Sequence, residues 1–298
     1  MSKIFKQMIT IVTAALGQGS AQTKGAGPSL PARASTGEAR AEFSVAPLSQ
    51  EGQGVAQDYA QAAIWFRKAA EQGNACAQNN LGVLCAGGYG IAQDHAQAVA
   101  WFRKAAEQGY APAQSNLGVA YVYGLGVGQD YVQAAAWWRR AADQGHPRAQ
   151  FNLGIAYDLG QGVTQDNRQA AACCRKAAEQ GYADAQFNLG VAYAHGEGVR
   201  QDYARAAVWL RKAAEQGHAE AQRSLGRLYS EGEGVKRSHA EACFWLDLSA
   251  KGLDRTQQEQ VVKERDHAAS QLKPTELSRV RQRVKRWLAE HPSQAIEK

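Results

Sequence analysis

The chain has 298 residues, 45% of them hydrophobic and 21% charged, with a formal net charge of +6. The length would suit two ordinary globular domains, and the apolar content is normal for a folded protein. So modest a positive charge gives a weak preference for acidic partners and does not require nucleic acid.

The first fifty residues differ from the rest. Lys3 and Lys6 precede an apolar run from Met8 to Leu16, and the small residues Gly19, Ser20 and Ala21 follow. A basic start, a short apolar stretch and a small-residue cleavage site are the plan of a secretory signal peptide, here residues 1–21. The apolar stretch is too short to span a bilayer. No acidic residue precedes Glu38, so an organelle transit peptide is the alternative and a plain disordered tail the blandest one. Residues 22–50 are rich in Gly, Ala, Ser and Pro, carry no helical stripe and read as a flexible linker. The expected location is periplasmic or secreted if the leader is cleaved, and cytoplasmic otherwise. Beyond the leader no stretch approaches the roughly 18 consecutive apolar residues of a membrane helix, so no membrane span is expected.

From residue 51 to residue 250 a block of 36 residues recurs in phase. Ala77-Gln78 returns as Ala113-Gln114, Ala149-Gln150, Ala185-Gln186 and Ala221-Gln222, and glycine returns at Gly73, Gly109, Gly145, Gly181 and Gly217. A fixed period of this size marks a solenoid, whose units bury a core only by stacking on their neighbours.

Within one unit, Ala77, Leu81, Leu84 and Cys85 share one face of a helix over 75–86. Gly82 sits inside that helix and recurs as Gly118, Gly154, Gly190 and Gly226. A glycine there costs about 1 kcal/mol relative to alanine, so its repetition implies a neighbour packed on the backbone. Gly88-Tyr89-Gly90-Ile91 then ends the helix, with counterparts down to Gly232-Glu233-Gly234-Val235 and an early copy at Gly52-Gln53-Gly54-Val55. The motif follows a helix, not a strand, and lacks the third glycine of a dinucleotide fingerprint, so a turn at positive φ is the better reading. Asp58, Asp94, Asp130, Asp166, Asp202 and Ser238 read as N-caps of second helices. In those helices Ala98, Trp101, Ala105 and Ala106 are expected to face inward, with the tryptophan repeated as Trp65, Trp137, Trp209 and Trp245. Nothing alternates with a period of two, so an all-α fold of helical hairpins follows.

The basic pairs from Arg67-Lys68 to Arg211-Lys212 each have an acid four residues past the arginine, from Glu71 to Glu215. This pattern describes a solvated helix surface held by i, i+4 ion pairs better than a track for phosphate. After Ala250 the period stops. Helices over 253–272 and 274–288 are expected to cap the array, and Arg279, Arg281, Arg283, Lys285 and Arg286 make the second one basic. Recruitment to an acidic surface is the alternative role for that helix.

The string Ala185-Gln186-Phe187-Asn188-Leu189-Gly190-Val191-Ala192-Tyr193, with Gly196-Glu197-Gly198-Val199, Asp202, Ala206, Trp209, Ala213, Ala214 and Gly217, resembles a Sel-1-like repeat. That family is related to the tetratricopeptide repeats, and the likeness covers 51–250. It implies an α/α superhelical solenoid of helix-turn-helix repeats and an adaptor role, with bacterial relatives acting in the envelope, in signalling and at host contact. A cysteine-rich branch with disulfide-stapled repeats includes members described as binding or hydrolysing β-lactams. Here Cys76 and Cys85 are about 13 Å apart along one helix, too far for a disulfide. Cys173 stands at the tryptophan position, and no CxxC zinc spacing occurs. Arg223 and Arg227 depart from the pattern by replacing apolar residues.

Opposite the buried arc of the first helices lies an apolar row where hydrophilic residues are expected. It comprises Phe151, Ile155 and Leu159, then Phe187, Val191 and His195, extended backwards by Val119 and Tyr123, with Asn80, Asn116, Asn152 and Asn188 alongside. Such a row suits a groove for a peptide, the asparagines holding its backbone amides. The alternative is that the row packs between adjacent first helices. The seven histidines form no HExxH pair. Ser270-Gln271-Leu272-Lys273 fits a Ser-x-x-Lys pattern without the companion motifs of penicillin-recognising enzymes. The reading is a monomeric, non-catalytic scaffold with a protein or peptide partner on its concave face and no metal, cofactor or nucleic acid. Its rival is a β-lactam- or cell-wall-directed hydrolase.

Overall fold

A computed structural model describes residues 55–253 and 255–291. The expected leader, the linker and most of the earliest Gly-x-Gly copy lie outside the described residues. Those described form thirteen α-helices and no strand. The chain divides into two compact units, 1–146 and 147–298.

The first unit contains α1 (Val55–Glu71), α2 (Ala75–Gly87), α3 (His95–Glu107), α4 (Ala111–Tyr123) and α5 (Tyr131–Asp143). α2 pairs with α3, and α4 with α5, as helical hairpins. The second unit contains the hairpins α6 (Pro147–Leu159) with α7 (Asn167–Glu179), α8 (Ala183–His195) with α9 (Tyr203–Glu215), and α10 (Ala219–Glu231) with α11 (His239–Ser249). It ends with α12 (Arg255–Ser270) and α13 (Pro274–Glu290).

Local chemistry sets the helix ends. Asp94, Asp130, Asp166, Asp202 and Ser238 cap α3, α5, α7, α9 and α11, each side-chain oxygen accepting from a backbone N–H in the first turn. The sixth expected cap, Asp58, does not start a helix: α1 already begins at Val55. At the other end, Gly196 takes φ +76 after α8, where an L-residue would be strained. Gly198 needs more than its φ of +68, because a Cβ there would lie 1.9 Å from the Asn167 carbonyl oxygen. The second glycine of the turn therefore presses against the start of the preceding hairpin's second helix.

The glycine inside each first helix marks where the hairpin closes. A Cβ on Gly82 would meet the Phe102 ring at 2.7 Å, one on Gly118 the Trp138 ring at 2.4 Å, and one on Gly190 or Gly226 the Leu210 or Leu246 side chain at 2.7 Å. This corrects the expected inward residue. The core position of the second helix is Phe66, Phe102, Trp138, Cys174, Leu210 and Leu246, each buried. The tryptophan one residue earlier sits at the edge: Trp65 is 55% exposed, and only Trp245 is fully buried. Lys68, Lys104, Arg140 and Lys212 lie over the faces of Trp65, Trp101, Trp137 and Trp209, 4.2 to 5.3 Å from the ring centroids. The arginine beside these cations is also diverted from the acid four residues on. Arg103 and Arg175 donate to the hydroxyls of Tyr121 and Tyr193 at 3.1 Å, and Arg211 donates to that of Tyr229.

Successive hairpins are joined by the recurring glutamine. Gln78, Gln114, Gln186 and Gln222 are buried, and each donates at 3.1 Å to the carbonyl eight residues earlier, that of Ala70, Ala106, Ala178 or Ala214. Those carbonyls belong to the last turn of the previous second helix, where each also accepts from the glycine N–H three residues on, and the glutamine adds a second bond. Gln108, Gln144, Gln180 and Gln216 in turn donate to the side-chain oxygens of Gln78, Gln114, Gln150 and Gln186.

Some contacts of the repeat carry on past Ala250. Gln258, 36 residues after Gln222, donates to the Ala250 carbonyl at 2.9 Å, and Val261 is fully buried where Leu225 would recur. α12 is thus a further first helix. Val262 occupies its glycine position, and α13 packs on α11 through Val280 and Val284. Arg223, the departure in α10, forms a two-bond pair with Glu264 of α12 at 2.6 and 3.2 Å. None of the five cysteines is in a disulfide.

Candidate partner-binding surface

The apolar row does not lie open along its length. Phe151 and Ile155 are 7% and 4% exposed, and Val119 only 2%. The Phe151 ring centroid is 5.3 Å from that of Tyr182, the residue that precedes α8. These side chains close the seam between α6 and α8, so the open-groove expectation is corrected at both Phe151 and Ile155. One repeat later Phe187 stacks on His218, the N-cap of α10, at 4.6 Å. His218 also accepts from the Ala221 N–H through Nδ1, and its Nε2 lies 3.5 Å from Asp184.

Phe187, Val191 and Leu159 nevertheless remain half-buried, and His195 is exposed at the end of α8. Tyr123, at the end of α4 in the first unit, is half-buried. The asparagines differ between units. Asn116 of the first unit is buried and donates to Asn79 at 3.0 Å, and Asn80 accepts from Asn79 at 3.4 Å. In the second unit Asn152 and Asn188 are half-buried, and their side-chain amides make no hydrogen bond among the described residues. Phe187, Val191, Asn188 and Asn152 therefore combine apolar surface with uncommitted amides, while Phe151 and Ile155 support them from beneath.

Burial, and then the neighbouring Glu197, push the Asp158 carboxyl above its ordinary range. Burial raises the Tyr182 phenol as well, with Asp184 adding to the effect. Tyr182 and His218 are the residues that sequence reasoning missed. Their signal was the variable position after each glycine stop, which reads Asn74, Tyr110, His146, Tyr182 and His218.

The Cys174 thiol is pushed up to about 12 by burial, with Cys173 adding to it. Burial likewise raises Cys85 and Cys243. Ser270 donates to the His267 carbonyl at 2.8 Å and lies exposed. Among the described residues no three His, Cys, Asp or Glu side chains converge as metal ligands would.

A model of the Sel1 repeat matches residues 39–74, 77–110, 111–146, 147–182, 183–218 and 219–252. The match comprises six repeats and starts at residue 39, upstream of the 51–250 array read from the sequence. No curated protein matches the chain. Among solved structures, a Sel1 repeat protein from Oxalobacter formigenes superposes with a TM-score of 0.64 at 31% identity, over 82% of this chain and 93% of that one. The protein c5321, a protective antigen present in uropathogenic Escherichia coli strains, is 28% identical with a TM-score of 0.41, over 80% of this chain and 66% of that one. The immunity protein Pa5087 from Pseudomonas aeruginosa is 20% identical with a TM-score of 0.39, over 72% and 83% of the two chains. Repeats of this kind generally serve as protein-interaction scaffolds. With six repeat matches over most of its length, the chain belongs to the Sel1 repeat family.

Proposed function

We infer that this chain is a non-catalytic scaffold that holds a peptide or protein segment on the concave face formed by its first helices, centred on α8. The observation that carries this reading is the pair of unengaged amides, Asn152 and Asn188, beside the half-buried Phe187 and Val191. A half-buried amide with no partner among the described residues gains a hydrogen bond when a peptide backbone arrives. Apolar surface next to it supplies affinity. Leu159 and His195 bound the patch. Tyr123 belongs to the other unit, and the reading does not depend on it.

The test is selection of peptides from a displayed random library on the purified chain, followed by binding to Asn152→Ala/Asn188→Ala. The expected result is enriched peptides whose affinity falls at least about tenfold in the double variant while its thermal midpoint stays unchanged. Peptides that bind both proteins equally would place the site elsewhere. The hydrolase alternative is tested with a chromogenic β-lactam, where the scaffold reading expects no turnover in the parent chain or in Ser270→Ala. For location, the pattern of residues 1–21 supports export to a bacterial envelope or beyond. N-terminal sequencing of the fractionated protein decides it, and an uncut cytoplasmic chain would refute it. The scaffold acts as a monomer in this reading, which light scattering at micromolar concentration checks.

A further inference from the structure

The C-terminal helix carries the densest charge in the described chain, and its apolar side is already in use. Val280 and Val284 of α13 are buried against α11, and the Arg283 guanidinium lies 3.8 Å from the Phe244 ring centre and pairs with Glu241. Arg279, Arg281, Lys285 and Arg286 remain exposed, and no acidic residue falls between Glu276 and Glu290. At about 100° per residue, Arg279 and Arg286 lie on one flank of the helix and Arg281 and Lys285 on the other. The line between the flanks, opposite the buried valines, holds the exposed residues Thr275, Ser278, Gln282 and Ala289, all short or neutral. Two further exposed cations, Lys236 and Arg237, immediately precede α11, whose first turn holds Arg283 through Glu241. Of the acids near the helix, Glu241 pairs with Arg283, Asp247 pairs with Arg265 and Glu276 accepts from the Lys273 N–H, while Glu290 lies exposed in the last turn, four residues past Arg286.

We propose that α13 docks the protein flat on an anionic lipid surface through Arg279, Arg281, Lys285 and Arg286. A single acidic peptide would be met from one flank, whereas long cations on both sides of a low, neutral crest suit a planar layer of negative charge. With its apolar face committed to α11, the helix cannot insert into the bilayer as a free amphipathic helix does. Attachment is therefore electrostatic, reversible and salt-sensitive, each cation near the surface contributing about fivefold in partitioning.

The full chain is sedimented with vesicles of about equal phosphatidylglycerol and phosphatidylcholine, and with vesicles of phosphatidylcholine alone. Binding is expected only to the anionic vesicles and should be lost at about 0.5 M salt. Arg279→Gln/Arg281→Gln/Lys285→Gln/Arg286→Gln should weaken it by about two orders of magnitude or more. Lys68→Gln/Lys104→Gln/Arg140→Gln/Lys212→Gln removes the same net charge from the repeat ridge and should retain most of the binding. Equal loss in both variants would reduce the effect to net charge and overturn the proposal. So would retention in the α13 variant, or binding to polyglutamate with none to anionic vesicles. Circular dichroism of both variants confirms that the helices persist.

Discussion

Hairpin α10–α11 and the pair α12–α13 begin alike and end differently. Both first helices place a glutamine on the last carbonyls of the preceding helix, Gln222 on Ala214 and Gln258 on Ala250, and both bury an aliphatic residue three positions on, Leu225 and Val261. The next residue separates them. Gly226 leaves room for Leu246, whereas Val262 at the matching position is half-buried against the cluster of Leu246, Ala250 and Val261, and the following helix docks on α11. Stacking between hairpins and closure within a hairpin are thus separate devices, and the array stops where the second is lost.

Giving the repeat the terminal residue is the strongest way to break this comparison. Gly226→Val places its first carbon 2.7 Å from Leu246, a side chain 1% exposed. Overpacking of this kind is expected to cost about 3 kcal/mol, against which the gain in helix propensity is small. Urea unfolding followed by circular dichroism measures it. A loss below about 0.5 kcal/mol would mean that closure does not depend on the glycine.

How much of this was legible in the sequence depends on how local each signal is. Hairpins, aspartate caps and paired-glycine turns were readable because each is decided within about four residues. The inward position of the second helix was misread for a physical reason. Trp101 and Phe102 are neighbours in sequence but about 100° apart on the wheel, and the residue type that repeats marks the edge stack on lysine or arginine. The core position varies from Phe102 to Trp138, Cys174 and Leu210, because each fills a differently shaped gap over its glycine. The covering of Phe151 by Tyr182 and of Phe187 by His218 joins residues 31 apart, which no helical wheel shows. Asn152 and Asn188 were singled out from sequence, yet that they are unengaged, unlike Asn80 and Asn116, needed the fold.

The glutamine ladder gives a smaller effect that sharpens the contrast between repeat and end. Gln222 is 2% exposed, so Gln222→Leu leaves the Ala214 carbonyl without that donor in a buried seam. That carbonyl keeps its bond from the Gly217 N–H, so the expected cost is that of one hydrogen bond, about 1.5 kcal/mol at most. Gln258 makes the same bond from an exposed position. Water can replace it there, and Gln258→Leu should cost about 0.5 kcal/mol or less. Equal costs would show that the terminal helix is stacked as firmly as a full repeat.

The smallest effect tests whether α12 keeps the register of a repeat beyond its glutamine. In the repeats an arginine of the second helix reaches a tyrosine 18 residues later, as Arg211 does Tyr229. Advancing both positions by 36 gives Asp247 and Arg265, which form an ion pair at 3.3 Å. The bond has been kept and its chemistry reversed, with the guanidinium now on the first helix. Asp247→Arg alone sets two guanidiniums against each other and should cost about 1 kcal/mol, since both side chains are partly exposed and screened. Adding Arg265→Tyr rebuilds the pair found in the repeats and should recover most of that loss. The coupling is measured by a double-mutant cycle in urea. If the second change recovers nothing, the two helices share a contact by accident, and α12 follows the repeat only as far as its first turns.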